Sequence, residues 1–180
     1  MLLYLSADFI APTLASSALP LPNAPLAETR AWFADNRLAA VSLGIGQFLS
    51  VSALAVFVTR LGRIARHTRK PPTTATMWGL AAVALMMLAS VCLWLLAAIA
   101  SSVSLDVVSV LRTANFIAGG TAHVLALGVF AILASRIPGM SKPIRVLSYV
   151  APVPAVLSLV SLVWFEGAVF ILVGRLLCMI

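Results

Sequence analysis

The sequence predicts an all-α protein, a polytopic bundle of transmembrane helices. Three observations predict it. Hydrophobic residues make up 62% of the 180 residues and charged residues only 9%, against about 25% charged in a soluble domain. The mean hydropathy is +1.11. Several charge-free runs reach the ~20 residues that cross a ~30 Å hydrocarbon core. A globule of this composition lacks the polar groups to cover itself, so the bilayer is its natural solvent. No run alternates polar and apolar residues in the way of a membrane barrel.

The elements follow in chain order. Met1 to Leu19 is apolar but holds Asp8 and Pro12 and has no basic leader. It is expected to be a membrane-embedded N-terminal helix, with a re-entrant or surface helix as the alternative, because an ionised Asp8 at mid-depth costs roughly 2.5–3.5 kcal/mol on insertion scales. The prolines of Pro20 to Arg37 end that helix. Within this connection Leu26 to Asn36 suits a short surface helix, with Trp32 and Phe33 dipping into the interface. Four clear spans follow: Leu38 to Thr59, Met77 to Ala100, Ala114 to Ser135 and Val146 to Trp164. Asp106 is the expected N-cap of a helix starting at Val107. Gly167 to Ile180 is apolar yet too short to cross, so it is a short C-terminal helix. One integral membrane domain, residues 1–180, accounts for the whole chain.

The charges orient the bundle. Arg60, Arg63, Arg66, Arg69 and Lys70 crowd one connection, and Arg136, Lys142 and Arg145 another, without an acid in either. Lys and Arg near span ends stay in the cytoplasm, so both loops are expected there. Glu28, Asp35, Asp106 and Glu166 then face the other side. The Arg60–Lys70 stretch also suits contact with lipid head groups. Trp32 and Trp164 are expected at the outer boundary, Trp78 at the inner one, and Trp94 between helices. The net charge of +7 does not imply nucleic acid, because the basic residues border apolar spans and no soluble domain presents them. Cys92 and Cys178 lie in apolar runs without metal or redox spacing.

The stretches "ETRAWFADNRLAAVSL", "VTRLGRIAR", "WGLAAVAL" and "ILVGRLLCMI" give the chain a resemblance to a family of small bacterial, often actinobacterial, multi-pass membrane proteins of unknown function. It covers roughly Pro22 to Ile180. It implies a helical bundle in a bacterial inner (plasma) membrane and carries over no catalytic residue. The first helix is short for that family, and the last stops midway.

The candidate site is polar. Arg112, Asn115, Gly119 and His123 recur on one face of a continuous helix. Threading brings Asp8, Gln47, His123 and Arg175 near mid-depth. An Asp8–Arg175 pair and a His123–Gln47 hydrogen bond are the expected contacts. Ser42, Gly46 and Ser50, and Ala114, Ala118, Ala122 and Ala126, are small-residue ladders suited to helix seams. Pro152 and Pro154 should kink the fourth span. No nucleophile–base order, HExxH motif, paired intramembrane carboxylates or phosphate loop is present. No catalytic residue, metal or cofactor is expected. The expected function is that of a non-enzymatic accessory or scaffolding subunit, with membrane lipids and other membrane-protein subunits as partners. The alternative is a small transporter or a lipid or small-molecule binder.

Overall fold

The computed structural model describes residues 10–66, 73–137, 139 and 141–179. Among these the chain is mostly helix, and no strand occurs. A helical turn over residues 10–14 (α1) precedes α2 (Leu26–Asp35), α3 (Arg37–Arg66) and α4 (Thr73–Ile99). A third long run follows, made of α5 (Leu105–Phe116), a π segment (Ile117–Ala122) and α6 (His123–Ala134). The fourth run is α7 (Lys142–Val150), α8 (Pro152–Leu157) and a 3₁₀ segment (Ser158–Leu162). A short 3₁₀ turn leads into α9 (Val169–Met179). Four of these runs are long and apolar enough to cross a membrane: Arg37–Ile64, Thr74–Ile99, Leu105–Ala134 and Lys142–Leu162. The all-α bundle predicted from composition is therefore the fold observed. α9, at 11 residues, covers ~16 Å and falls short of a ~30 Å core.

The chain forms two compact units, Met1–Val51 with Met86–Gly119, and Ser52–Leu85 with Gly120–Ile180. In the first, Trp32, Phe33, Ala39, Ala40, Leu93, Leu96, Ala97, Ala100 and Val108 form one apolar core. Trp32 and Phe33 are 5% and 0% exposed, so they fill protein interior instead of dipping into the interface. Their rings meet edge to face at 5.1 Å, and the Trp32 indole N–H donates to Ser17 O at 3.0 Å. Trp94 packs between helices as expected. Its ring lies 5.6 Å from Phe48, and its indole sits over Gly44, where any Cβ would collide with it. α5 begins at Leu105 with Ser104 as N-cap, so Asp106 lies in the first turn and is not the cap.

In the second unit Val58, Ala75, Phe130, Ala134 and Ile137 cluster at one end of the helices. The fourth run is interrupted where its prolines lie. α7 ends at Val150, and α8 restarts at Pro152. Proline removes a backbone donor, and the close packing of Pro152 Cα, 3.4 Å from where a Gly128 Cβ would stand, fixes the bend against α6. α8 and α9 form an antiparallel hairpin. Gly174 sits on Ala155 and Val124, with Ala155 N only 3.2 Å from the position of a Cβ, and Gly167 sits on Val160 and Ser161. Such contacts require the absence of a side chain.

Candidate functional site

The third long run carries the predicted polar stripe, but it is not one helix. At Gly120 the backbone takes φ −90° and ψ −105°, outside helical geometry, within the π segment Ile117–Ala122. The paired glycines permit this. A Cβ on Gly119 would stand 2.7 Å from Ala89 Cβ, and one on Gly120 3.0 Å from Ile171 Cδ1. Glycine pairs and π-bulges are the recognised causes of sharp kinks. The break divides the stripe. Arg112 and Asn115 belong to the first unit and His123 to the second.

In the first unit Arg112 is 7% exposed and Asn115 8%. Arg112 Nη1 donates to Asn115 Oδ1 at 3.1 Å and Nη2 to Pro20 O at 2.7 Å. Asn115 Nδ2 donates to Ala89 O at 2.9 Å. The guanidinium thus fastens the N-terminal segment to α5, and the Asn115 amide fastens α4 to it. Its Nε is buried without a hydrogen-bond partner, as are Gln47 Oε1 and Ser50 Oγ. No carboxylate pairs with Arg112 among the described residues.

In the second unit His123 is 2% exposed. Its Nδ1 lies 2.8 Å from Ala82 O. A carbonyl only accepts, so Nδ1 carries the proton. The Nδ1 partner is a backbone carbonyl of the antiparallel neighbour α4, and Gln47, its expected partner, belongs to the other unit. Arg175 is 7% exposed. Asp8 lies outside the described residues, and so does the expected Asp8–Arg175 pair. Arg60 and Arg63 are exposed at the end of α3. Arg66 is its last helical residue, and Arg69 and Lys70 lie outside the described residues.

A second polar group went unnoticed in the sequence. Thr121, Ser158 and Ser161 are 3%, 0% and 0% exposed. Thr121 Oγ1 and Ser161 Oγ lie 3.1 Å apart, and Ser161 Oγ donates to Ser158 O at 2.6 Å. These hydroxyls join the π break of the third run to the 3₁₀ segment of the fourth. The legible signals were the Gly119–Gly120 pair and the three-residue spacing of Ser158 and Ser161 on an otherwise apolar run. Elsewhere, an open cleft of about 410 Å³ is lined by Ala27, Arg30, Ala31, Ala34, Ser101 and Leu105. Arg37 Nη2 donates to Ser101 Oγ at its wall, at 3.2 Å. Among the described residues no group of three metal-ligating side chains converges.

These features define an all-α bundle with membrane-compatible helices and two buried polar networks. No family model, curated protein or solved structure matches the chain. The family resemblance rests on its four short motifs alone.

Proposed function

We propose that the protein is a non-enzymatic accessory or scaffolding subunit of a larger membrane assembly. Gln47 carries this reading. It lies ten residues into α3 (Arg37–Arg66), about 15 Å along the helix. Its Oε1 is buried without a donor. An amide left unpaired in an apolar medium costs roughly 2–7 kcal/mol, and lipid tails offer no partner. The residue is half-buried, so rotation of its flexible side chain brings the amide to the helix flank. There the donor of a neighbouring subunit's helix satisfies it. The span around Gln47 is 28% buried within the chain, against 61% for the third span, so the flank is open to a neighbour.

The test is mild-detergent purification from native membranes at native abundance, comparing wild type with Gln47→Leu. An interhelical hydrogen bond contributes about 0.6–2 kcal/mol. The substitution is expected to weaken retention of the partner subunit about 3- to 30-fold while the chain itself stays folded. A lone wild-type monomer, or a complex indifferent to the substitution, sinks the proposal.

A second reading, a small transporter or small-molecule binder, is favoured by Arg112. A buried cation is a default functional candidate inside a membrane, and among the described residues Arg112 has no carboxylate partner. Proteoliposome binding of a small carboxylate or phosphate that survives Arg112→Gln counts against it.

For orientation, the bacterial plasma membrane with the Arg60–Lys70 and Arg136–Arg145 loops in the cytoplasm is our reading. The loop charges support it: Arg60–Lys70 holds five basic residues and Arg136–Arg145 three, with no acid in either.

A further inference from the structure

We propose that the cleft between α2 and the α4–α5 turn binds a small anionic amphiphile, a carboxylate or phosphate head on a short alkyl body. The site lies wholly within the first unit. It uses neither Gln47 nor Arg112, so it rests on neither reading of function given above.

The sequence of α2 prepares one wall. Ala27, Arg30, Ala31 and Ala34 recur at i, i+3, i+4 and i+7, which is one face of the helix. Thr29, Trp32 and Phe33, on its other side, are buried. That side anchors the helix. The Trp32 indole N–H donates to Ser17 O, and Asn36 Nδ2 donates to Trp32 O, both at 3.0 Å. Ala27 and Ala31 are exposed, so core packing does not require them to be small. Their methyls instead leave room for the cleft of about 410 Å³ that they line, a volume within the ~300–1,000 Å³ of small-molecule sites.

The other wall is Ser101, in the turn after α4, and Leu105, the first residue of α5. Ala97, Ala100 and Val108 flank that turn and share one apolar core with Trp32 and Phe33. Both walls are thus braced from behind by the same packing. A cleft formed before its ligand arrives avoids the ordering cost of closing around it.

Chemistry selects the occupant. Three alanine methyls and Leu105 make most of the lining apolar, which suits an alkyl body. The half-buried Arg30 is the one charged residue on the lining. Ser101 Oγ accepts from Arg37 Nη2 at 3.2 Å, which brings a second guanidinium to the rim and leaves the Ser101 O–H to donate to an anion. The acids described in this unit, Glu28, Asp35 and Asp106, do not line the cleft. Among the described residues neither Arg30 nor Arg37 pairs with a carboxylate. A guanidinium fork matches the paired oxygens of carboxylate and phosphate. A bare inorganic anion would leave the alanine floor wet, and a cationic amphiphile would meet Arg30.

The experiment places the full chain in phosphatidylcholine nanodiscs and measures radiolabelled octanoate by equilibrium dialysis against empty discs. Wild type is expected to show a saturable component. R30Q should weaken it roughly tenfold, the loss of one charge-assisted hydrogen bond. A31F, which fills the cleft without touching its charge, should abolish it, with thermal unfolding as the check on folding. K142Q, in the other unit, should leave it unchanged. Octylammonium and inorganic phosphate should fail to displace octanoate, whereas octyl phosphate should succeed. Phosphatidylglycerol added to the discs separates two sources of the head group. If it removes the octanoate site, the natural occupant is a lipid; if not, it is a free amphiphile. No saturable component, binding indifferent to R30Q, or displacement by octylammonium as readily as by octyl phosphate overturns the proposal.

Discussion

At the scale of single residues, the tightest constraints are glycines against rigid neighbours. Gly174→Ala would drive a methyl to 2.7 Å from Val124 Cγ1 and 3.2 Å from the Ala155 backbone nitrogen. Backbone cannot yield as a side-chain tip can, so a loss of ~1–3 kcal/mol is expected, measured as a fall in thermal unfolding temperature in detergent. Gly62→Ala meets only the Thr76 side chain and should shift that temperature far less. Asn115→Leu is expected to cost ~1–3 kcal/mol, because it leaves a buried Arg112 donor unpaired. The same measurement on Asn115→Gln shows whether the amide or the shape matters. The polarity and spacing of Arg112 and Asn115 were legible in the sequence. Their partners were not, because Pro20 O and Ala89 O are backbone atoms, and backbone carbonyls carry no residue-specific signal. The same reason hid the Ala82 carbonyl beside His123 Nδ1.

At the scale of elements, existence and type were legible wherever charge-free runs were long, since a run of more than ~20 apolar residues has few alternatives to a spanning helix. Continuity was not. The stripe from Arg112 to His123 assumed an unbroken period, and the π segment at Ile117–Ala122 changes it. Both glycines of the break invite substitution, with different outcomes. On Gly119 a methyl meets Ala89 Cβ at 2.7 Å, which cannot rotate away, so a loss of ~1–3 kcal/mol is expected. On Gly120 it meets the flexible end of Ile171 at 3.0 Å, and a loss below ~1 kcal/mol is expected, provided that the kinked backbone survives. Equal losses in paired unfolding curves would show that the two packing environments are not the cause. The proline break at Ala151 was legible because proline acts through its own ring, with no need of a distant neighbour.

At the scale of the whole molecule, composition alone dictated the solvent, and charge suggested the threading. Nine of the twelve basic residues fall in one compact unit, a partition that could be counted only once the contacts were known. An impermeant maleimide added to intact cells should tag a cysteine placed at Asp106 and spare one at Arg63. Tagging at position 63 reverses the orientation. The native thiols should not interfere, since Cys92 is buried and Cys178 only partly accessible.

The antiparallel course of α8 and α9 has a consequence for the end of the chain. Ser161 bonds to Thr121, beside the kink, and Cys178 Sγ comes back to within 3.9 Å of Ala151 O. The polypeptide makes a U-turn, so α9 brings the chain back alongside α8 to the level of the proline break at Ala151.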